Sequence, residues 1–469
     1  MTFLSPIFIF VFLPIVLSVY ALLPKLRRID LLPMISAVFF VCVNIHDFLS
    51  LAYYFSIVIC SAVALKLYKK TKRRGFLVSL EALTFLGAVI ALIYRFVRGG
   101  EAVYHAGLLM CLIAVISMCS DILKNEGRAP DTVWEAMIYV TFFPVMLVGP
   151  FVRYGDFIEK LDRLTISVDR FVAGAVRFMI GFIKCVAISA VFGEVVDEVM
   201  LHEGKFGVLV LMLIAAVCGI RVYTFFSGYS DMARGIALMI GIDIKSDFKD
   251  PFLNVTPADY VRRFFTSLSE FAKLYIVTPI DRLFGGKAFG KVVACALASC
   301  YYVFVVCPTP ELALILFLPA SFLAYFIMFR PRERRISMPI WLKIITGFLT
   351  FVAASFVWFA ISVGDVFELF ELVRGVVGNG IDHASHEVRA VISRSEYMVV
   401  PLVSAILVFV GSRVLNSDML EAEGDISVKT LVLRSICFAA IVGMFIFSVI
   451  VFLPQFPNIV SYANVISFV

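Results

Sequence analysis

Charge, histidine and tryptophan are all scarce in this sequence of 469 residues. Asp, Glu, Lys and Arg together make up 16% of the chain and apolar residues 61%, with five histidines and three tryptophans. A water-soluble domain needs a polar surface, which a chain with a mean hydropathy of +0.98 cannot supply. The composition therefore excludes a soluble globular protein and predicts a polytopic, all-α membrane protein.

Metal-binding and redox motifs are also lacking. The ten cysteines form no C-x-x-C pair, and all lie in apolar runs, so we interpret them as small buried hydrophobic residues. His383 and His386 have the i, i+3 spacing that places two imidazoles on one helix face, but no third ligand accompanies them. The sequence predicts no metal site and no bound cofactor.

The net charge of +6 comes from basic residues that flank apolar runs. Lys25, Arg27 and Arg28 follow the first run, and KLYKKTKRR (Lys66–Arg74) follows the third. Short loops rich in Lys and Arg stay in the cytoplasm. This pattern predicts an extracytoplasmic N-terminus and membrane lipids as partners, and it does not indicate nucleic acid.

Apolar runs of about 20 residues, the length that crosses a bilayer, recur along the whole chain. We expect about eleven to thirteen membrane helices, because Pro-interrupted runs leave the count open. No internal repeat is visible, and residues 1–469 are expected to form a single domain. The runs begin near Phe3, Leu31, Leu49, Phe76 and Ala102, and continue as Val133–Phe151, Phe171–Val195, Phe206–Phe226, Phe289–Cys307, Leu312–Phe329, Ile340–Val363, Met398–Leu415 and Val432–Leu453.

Polar stretches interrupt this pattern at three places outside the most charged region. Arg153–Arg170 is amphipathic and is predicted to lie on the membrane surface. Arg374–Glu396 contains Gly378 and Gly380 and is predicted to be a loop with a short helix. RPRERR (Arg330–Arg335) is a basic loop and a candidate cytoplasmic segment.

The stretch Arg221–Gly286 carries several charges between long apolar segments. A charged residue at the centre of a bilayer costs about 2.5–3.5 kcal/mol. We therefore expect this stretch to face a cavity, to line the membrane interface or to leave the membrane. It is the predicted working part of the protein.

Four segments of the chain carry recognisable landmarks in the same order as a known family. They are FLSPIFIFVFLPIVLSVYALLPKLRR, TFFPVMLVGPFVRYGDF, FSGYSDMARGIALMIGIDIKSDFKDPF and YVRRFFTSLSEFAKLYIVTPI, all within residues 3–286. Together they resemble the membrane-bound O-acyltransferase family, in particular the bacterial branch that O-acetylates alginate and other surface polysaccharides. Residues 287–469 are predicted to form further transmembrane helices, in which the family's motifs are matched only weakly.

This resemblance implies a bowl of helices around a central funnel in the plasma membrane. An acyl group, expected to be acetyl, passes from a cytoplasmic thioester donor such as acetyl-CoA to an envelope polymer. The implied partners are an extracytoplasmic acyl-accepting protein and a polysaccharide export system. The family is regarded as using a buried histidine as its base, which suits the chemistry because a hydroxyl is a poor nucleophile at neutral pH.

The chain departs from the family at the positions that carry the chemistry. Phe265 stands where the pattern has histidine, Phe264 where it has tryptophan, and Phe225 where it has aspartate. The family's later histidines fall in VVCPTPELALILFLPASFLAYF, where spacing places Pro308 and Ser321. These departures predict impaired catalysis and leave the catalytic residues unknown. An active enzyme with a non-standard base and a non-catalytic scaffold or transport component remain as alternatives.

Six polar residues are candidates for lining the funnel or binding substrate. Arg262 and Arg263 suit a phosphate-bearing thioester donor, but they could equally snorkel to lipid headgroups. Asp231 also has a structural alternative, in which Arg221 or Arg234 neutralises its buried charge. The candidates are Tyr229, Asp231, Arg262, Arg263, Ser267 and Tyr275.

Neighbouring polar groups have structural interpretations of their own. Lys184 lies within an apolar run and is expected to pair with an acid or to snorkel. The candidate serines and tyrosines could hydrogen-bond between helices without a catalytic part.

Overall fold

The computed structural model is almost entirely helical. Within the residues it describes there is no strand, only an isolated bridge between Phe206 and Ala384. The described residues are 2–23, 25–45, 48–97, 108–124, 128–147, 149–165, 167–202, 205–248, 257–306, 310–329, 339–414 and 428–452. The predicted basic loop Arg330–Arg335 lies outside them, as do Pro308, His46 and His105.

The helices follow the apolar runs of the sequence. In the first half they are α1 (Leu13–Leu22), α2 (Lys25–Val43), α3 (Phe48–Thr71), α4 (Gly75–Val97), α5 (Leu108–Lys124), α6 (Val133–Val140), α7 (Phe143–Met146), α8 (Tyr154–Asp162), α9 (Val168–Ile183), α10 (Val191–Met200) and α11 (Val208–Ile240). In the second half they are α12 (Pro257–Phe264), α13 (Thr266–Phe271), α14 (Thr278–Leu283), α15 (Ala288–Val306), α16 (Pro310–Phe329), α17 (Ile340–Val363), α18 (Val366–Gly378), α19 (His386–Ser393), α20 (Ser395–Val414) and α21 (Val428–Phe452). Three π-helical segments join them: π1 (Phe8–Phe12), π2 (Lys184–Ala190) and π3 (Ala272–Val277).

Five described helical stretches are long and apolar enough to cross a membrane, and seven shorter apolar helices accompany them. These helices confirm the predicted fold class, an all-α polytopic membrane protein. The predicted number of crossings stays a prediction. The five stretches are Leu51–Thr71, Val168–Met200, Val208–Ile240, Ile344–Val363 and Arg434–Val451.

One predicted run is broken. The run Val133–Phe151 was expected to be continuous, but α6 ends at Val140 and α7 is a short separate helix with Pro144 in its first turn. Proline lacks an N–H and favours an extended residue before it, so it starts a new helix more readily than it continues one. The described residues between α7 and Tyr154, 147 and 149–153, are not helical.

Within the amphipathic stretch Arg153–Arg170, α8 forms a helix with one apolar face, and its location on the membrane surface stays a prediction. Its apolar residues Phe157, Ile158 and Leu161 are buried, and Glu159 is exposed on the other face.

Helix α11 is the centre of the molecule, and it packs most closely on α9. The two helices meet at paired glycines, Gly174 with Gly235 and Gly181 with Gly228. A Cβ on Gly181 would lie 2.4 Å from the carbonyl oxygen of Gly228. Small residues at such crossings let two helix backbones approach closely inside a membrane.

We expect Gly181→Ala to separate α9 from α11 and to lower stability by about 1–3 kcal/mol, the usual cost of overpacking. The measurement is the melting temperature of the purified protein in detergent. Gly443→Ala in α21 is the matched control, because among the described residues no atom outside its own stretch of helix lies within 4 Å of a Cβ at that position. Equal melting temperatures for the two variants would contradict the close approach.

Basic and acidic loops gather at one end of the helix bundle. Lys69 donates to the backbone oxygen of Asp131. Arg128 pairs with Asp162 of α8 at 2.7 Å and also with Glu135. The loop after α3, the loop before α6 and helix α8 therefore lie together.

The opposite end is closed by a clasp, which we define as the loop 379–385 seated on the first turn of α11. The N–H groups of Gly207, Val208 and Leu209 donate to the carbonyl oxygens of His383, Gly380 and Ile381 at 2.7, 3.1 and 3.2 Å. The first N–H groups of a helix have no partner within the helix, so the clasp supplies the missing acceptors. The loop and short helix predicted for Arg374–Glu396 are confirmed by the clasp and α19.

Candidate functional site

A buried charge cluster lies where α11 faces the α9–π2 helix. Asp231 accepts a hydrogen bond from Lys184 Nζ at 2.6 Å, and Arg234 lies 3.8 Å away on its other side. Lys184 also donates to Ser227 Oγ at 2.9 Å. Ser227, Asp231 and Arg234 recur at i, i+4 and i+7, so they share one face of α11.

This cluster tests the predicted partners of Asp231. The prediction of Arg234 is confirmed, whereas Arg221 is the wrong partner, since it lies 3.6 Å from Asp197 of α10. The nearest cation, Lys184, was predicted to be paired or snorkelling, and it is paired. Lys184 Nζ donates to both Asp231 and Ser227, so it serves here as a hydrogen-bond donor that links the two residues.

A second buried network surrounds Asp121 of α5, which the sequence analysis did not single out. Its fully buried carboxylate accepts from Arg153 Nε at 3.1 Å, Tyr275 Oη at 2.7 Å and Gly155 N at 3.2 Å. Ser117 Oγ in turn donates to Tyr275 Oη at 2.9 Å. This Asp121 network ties α5 to the GPFVRY landmark and to π3. The sequence did offer one indication of this network, because Asp121 is a single carboxylate within an apolar run.

A third contact, the Asp247 junction, joins three landmark segments. Asp247 is 3% exposed, and its Oδ1 accepts the Ser267 N–H at 2.6 Å. The backbone oxygen of Asp247 accepts the Thr266 N–H at 3.0 Å. Ser267 Oγ accepts the Phe151 N–H at 2.9 Å. The sequence analysis named Ser267 as a candidate but did not identify Asp247.

Two of the π-helical segments coincide with these polar groups. Lys184 is the first residue of π2, and Tyr275 lies within π3. A π-helical turn inserts one extra residue into a helix and re-aims the side chains after it, and such turns recur at functional sites. No sequence pattern used above predicts them.

Phe264 and Phe265, which the sequence analysis assigned to the family's tryptophan and histidine positions, lie in an aromatic cluster. Phe265 packs on Phe226, Phe248 and Phe264, with ring centroids 5.2, 5.4 and 4.9 Å away. Phe264 stacks on Trp358 of α17 at 5.3 Å. Phe264 is therefore buried in the core and Phe265 is partly buried against it, and both are packed on rings that cannot exchange protons.

The remaining candidates occupy different environments. Arg262 is partly exposed with Asp259 at 3.7 Å, and Arg263 is exposed. Tyr229 is buried, and its ring stacks on Phe3 at 5.9 Å. The structure therefore joins Ser267 and Tyr275 to polar networks and Asp231 to the charge cluster.

Ser321 lies in α16, and its buried Oγ has no hydrogen-bond partner in the described part of the chain. Glu311, the acid in the first turn of α16, is exposed and roughly 15 Å away along the helix. His383 and His386 are exposed, in the clasp and at the start of α19. None of the three described histidines, the third being His202, lies in these polar networks.

An apolar pocket lies beside the GPFVRY landmark, between α5 and α6. Its lining includes Cys111, Tyr139, Phe142, Phe151 and Val152 and contains no charged side chain. Such a pocket can receive an apolar group, because burying an unpaired charge there would be costly.

The chain is similar to a known protein family and to several named bacterial proteins. The profile of the MBOAT, membrane-bound O-acyltransferase, family matches residues 47–297. A protein of Azotobacter vinelandii named "Probable alginate O-acetylase AlgI" is 30% identical over 296 residues, which cover 59% of this chain and 59% of that protein. The chain therefore matches about three fifths of the length of this relative.

Two more distant relatives bear other names. The peptidoglycan O-acetyltransferase of Helicobacter pylori is 26% identical over 146 residues, covering 30% of this chain and 28% of that protein. The teichoic acid D-alanyltransferase of Lacticaseibacillus rhamnosus is 25% identical over 201 residues, covering 40% and 49%. The matched residues 47–297 hold the charge cluster, the Asp121 network and the Asp247 junction. The chain belongs to the membrane-bound O-acyltransferase family.

Proposed function

We propose that this chain transfers an acyl group, acetyl in the first instance, from a cytoplasmic thioester to a polysaccharide or other envelope polymer. The observation that carries the proposal is the Asp247 junction, in which three family landmarks meet through side-chain hydrogen bonds. Relatives named for alginate, peptidoglycan and teichoic acid modification support an envelope polymer as acceptor. Because the family's histidine positions hold Phe265 and Ser321 here, the transfer would use a different base.

The donor is proposed to be a phosphate-bearing thioester such as acetyl-CoA. Arg262 and Arg263 lie on α12, directly before the junction, and Arg263 is exposed. A guanidinium offers several donors in the planar arrangement that phosphate oxygens accept. The acyl-accepting partner protein and the export system remain part of this proposal, as does the plasma membrane location.

A non-catalytic scaffold is the second candidate. It is favoured by the aromatic cluster, because Phe264 and Phe265 fill the place of a titratable side chain with packed rings. In that case the chain would hold its partners at the membrane without consuming thioester.

An assay with the full chain in nanodiscs separates the two candidates. Labelled acetyl-CoA is added, and free thiol and transferred label are measured against empty nanodiscs. Thiol release above that background supports acyl transfer. Absence of release, together with loss of polymer O-acetylation in cells that lack the gene, supports the scaffold.

The orientation of the chain is also a proposal, with an extracytoplasmic N-terminus. The basic loop after α3 lies with Arg128 and α8 at one end, and short basic loops stay in the cytoplasm. A tag at the N-terminus should therefore react with an impermeant reagent in intact cells, and a tag at Thr71 should react only after lysis. Labelling of the Thr71 tag in intact cells would reverse the orientation.

Ser321→Ala is expected to leave both stability and polymer O-acetylation unchanged. The Ser321 hydroxyl is buried without a partner in the described residues, so its removal sacrifices no hydrogen bond there. Ser117→Ala is the matched control, because Ser117 bonds Tyr275 and the Tyr154 N–H, and its loss should cost about 1–3 kcal/mol. Loss of O-acetylation by a normally folded Ser321→Ala protein would instead make Ser321 a participant.

A further inference from the structure

The crossing of α9 and α11 brings a further arginine, Arg177, to the charge cluster. The paired glycines of the two helices meet in reverse order, so the helices run antiparallel. Arg177 lies three residues after Gly174 and four before Gly181, the two glycines that α9 contributes. Residues at these spacings share one face of a helix, so Arg177 faces α11. In this register it lies level with Asp231 and Arg234, and its charge acts on both.

Arg177 points into the bundle rather than toward lipid. The exposed apolar residues in the same part of α9 are Val168, Phe171 and Val172. Arg177 comes about two and a half turns after Val168, so the two side chains project from opposite sides of the helix. Arg177 is nevertheless partly exposed. Its guanidinium therefore reaches space inside the bundle, and snorkelling along the lipid face does not account for it.

Positive charge exceeds negative charge where these two helix faces meet. Asp231 is the carboxylate at this level, with Lys184 at 2.6 Å and Arg234 at 3.8 Å. Arg177 adds a third cation, and it forms no ion pair within the described part of the chain. A cation inside a bundle is costly without a counter-charge. The excess therefore favours an anion that the chain itself does not supply.

Arg234, on the facing helix, has an unused donor. Its Nε donates to the Ile244 backbone oxygen at 2.6 Å, and its Nη1 faces Asp231, whereas Nη2 has no partner among the described residues. Asp243 and Asp247 act on Arg234 from the loop after α11, but neither forms an ion pair with it in the described structure. A guanidinium presents its donors in the planar arrangement that phosphate oxygens accept.

The arginines lie in the half of the bundle next to the end that holds Arg128 and α8. Helix α9 begins at this end, directly after α8, and Arg177 is roughly 14 Å along it. Lys160 of α8 is half-buried there and interacts electrostatically with Arg234. Further positive charge therefore lies between this end and the two arginines, with Asp156 and Asp243 as its counter-charges.

We propose that the α9–α11 crossing binds one phosphate-type oxyanion between Arg177 and Arg234. The site is separate from Arg262 and Arg263 of α12, and the inference does not require acyl transfer by this chain. The phosphate belongs to a water-soluble phosphate ester or to an anionic lipid headgroup, because both carry the oxygens that two guanidiniums recognise. The bound anion supplies the counter-charge that Arg177 lacks.

The test is the melting temperature of the full chain in a maltoside detergent, which carries no phosphate. Inorganic phosphate should raise it relative to chloride at equal ionic strength. Arg177→Gln removes the charge but keeps a polar side chain, and it should weaken phosphate binding about 10–100-fold in a titration of this shift. Arg163→Gln is the matched control, because Arg163 is an exposed arginine at the same end that pairs with Glu159, and it should keep the full shift.

Two further additions distinguish the sources of the phosphate. Coenzyme A is added to the detergent solution, and phosphatidylglycerol is mixed into the micelles, with phosphatidylcholine as the comparison lipid. A shift with coenzyme A that depends on Arg177 assigns the site to a water-soluble phosphate ester. A shift with phosphatidylglycerol that depends on Arg177 assigns it to a lipid headgroup.

A purely structural role for Arg177 makes a different prediction. If an acid of the chain pairs with it, Arg177→Gln should melt below wild type in phosphate-free buffer, and the inference fails. If the counter-charge is a ligand, this variant should melt at or above wild type there, since it relieves repulsion from Lys184 and Arg234. The inference is also overturned if phosphate leaves wild type unchanged, or shifts wild type and Arg177→Gln equally.

Discussion

Asp231→Ala is expected to remove most of the folded protein from the membrane extract. Without this carboxylate, Lys184 and Arg234 remain as neighbouring cations inside the bundle. Breaking a buried pair by removing one partner costs about 3–5 kcal/mol, a large part of the stability of a typical domain. The measurements are the monodisperse yield on size-exclusion chromatography and the melting temperature.

Two further variants make the test specific. Glu371→Ala removes a pair with Arg374 in which both side chains are largely exposed, and it should leave yield and melting temperature unchanged. Joint replacement of Lys184 by Met and Asp231 by Leu should recover part of the loss, because it removes one buried cation together with the carboxylate. The recovery is only partial, since Arg234 still lacks its acidic neighbour. A normal melting temperature for Asp231→Ala would show that the pair contributes little.

Asp121→Ala is expected to have an effect of similar size through a different mechanism. Three donors, from Arg153, Gly155 and Tyr275, converge on this fully buried carboxylate. Removing it leaves them without an acceptor, and the loss of the charge partner of Arg153 adds to the cost, for a total of about 3–5 kcal/mol.

A graded series checks this account. Asp121→Asn retains an oxygen for Tyr275 but places an amide where Arg153 needs an acceptor, so its melting temperature should fall between those of wild type and Asp121→Ala. Asp162→Ala is the control at an exposed carboxylate, because Arg128 keeps Glu135 as a partner. If Asp121→Ala and Asp162→Ala melted alike, the network would not be a stabilising element.

The helices could be predicted from apolar runs, but their ends could not. The run Phe206–Phe226 was expected to stop near the first charges, yet α11 continues to Ile240. It continues because Arg221 pairs with Asp197 of α10 and Asp231 pairs with Lys184 of π2. Arg234 lies beside Asp231 on the same face of α11. It ends at Gly241, whose φ of 102° is a left-handed conformation that glycine adopts readily.

Some residues of the candidate site could be predicted from the sequence, but the contacts between them could not. Ser267 and Tyr275 were found from their landmarks, but the carboxylates they contact were not. Asp121 lies 154 residues from Tyr275, and Asp247 lies 20 residues from Ser267 across the start of another helix. One sequence holds no signal for contacts at such separations, because they depend on how helices pack and on the extra residues of the π-helical turns.

The clasp can form only late in translation, after the loop 379–385 has been synthesised. Asn379 donates to the backbone oxygen of Phe206 across 173 residues, so the first turn of α11 waits for a much later part of the nascent chain. At roughly 5–20 residues per second, that wait is on the order of 10–30 s. Until then, the end of the central helix presents unpaired N–H groups to solvent and to proteases. Binding of the loop 379–385 to the start of α11 is thus a late step in folding. The residues of the buried charge cluster and of the Asp121 network are all synthesised before it.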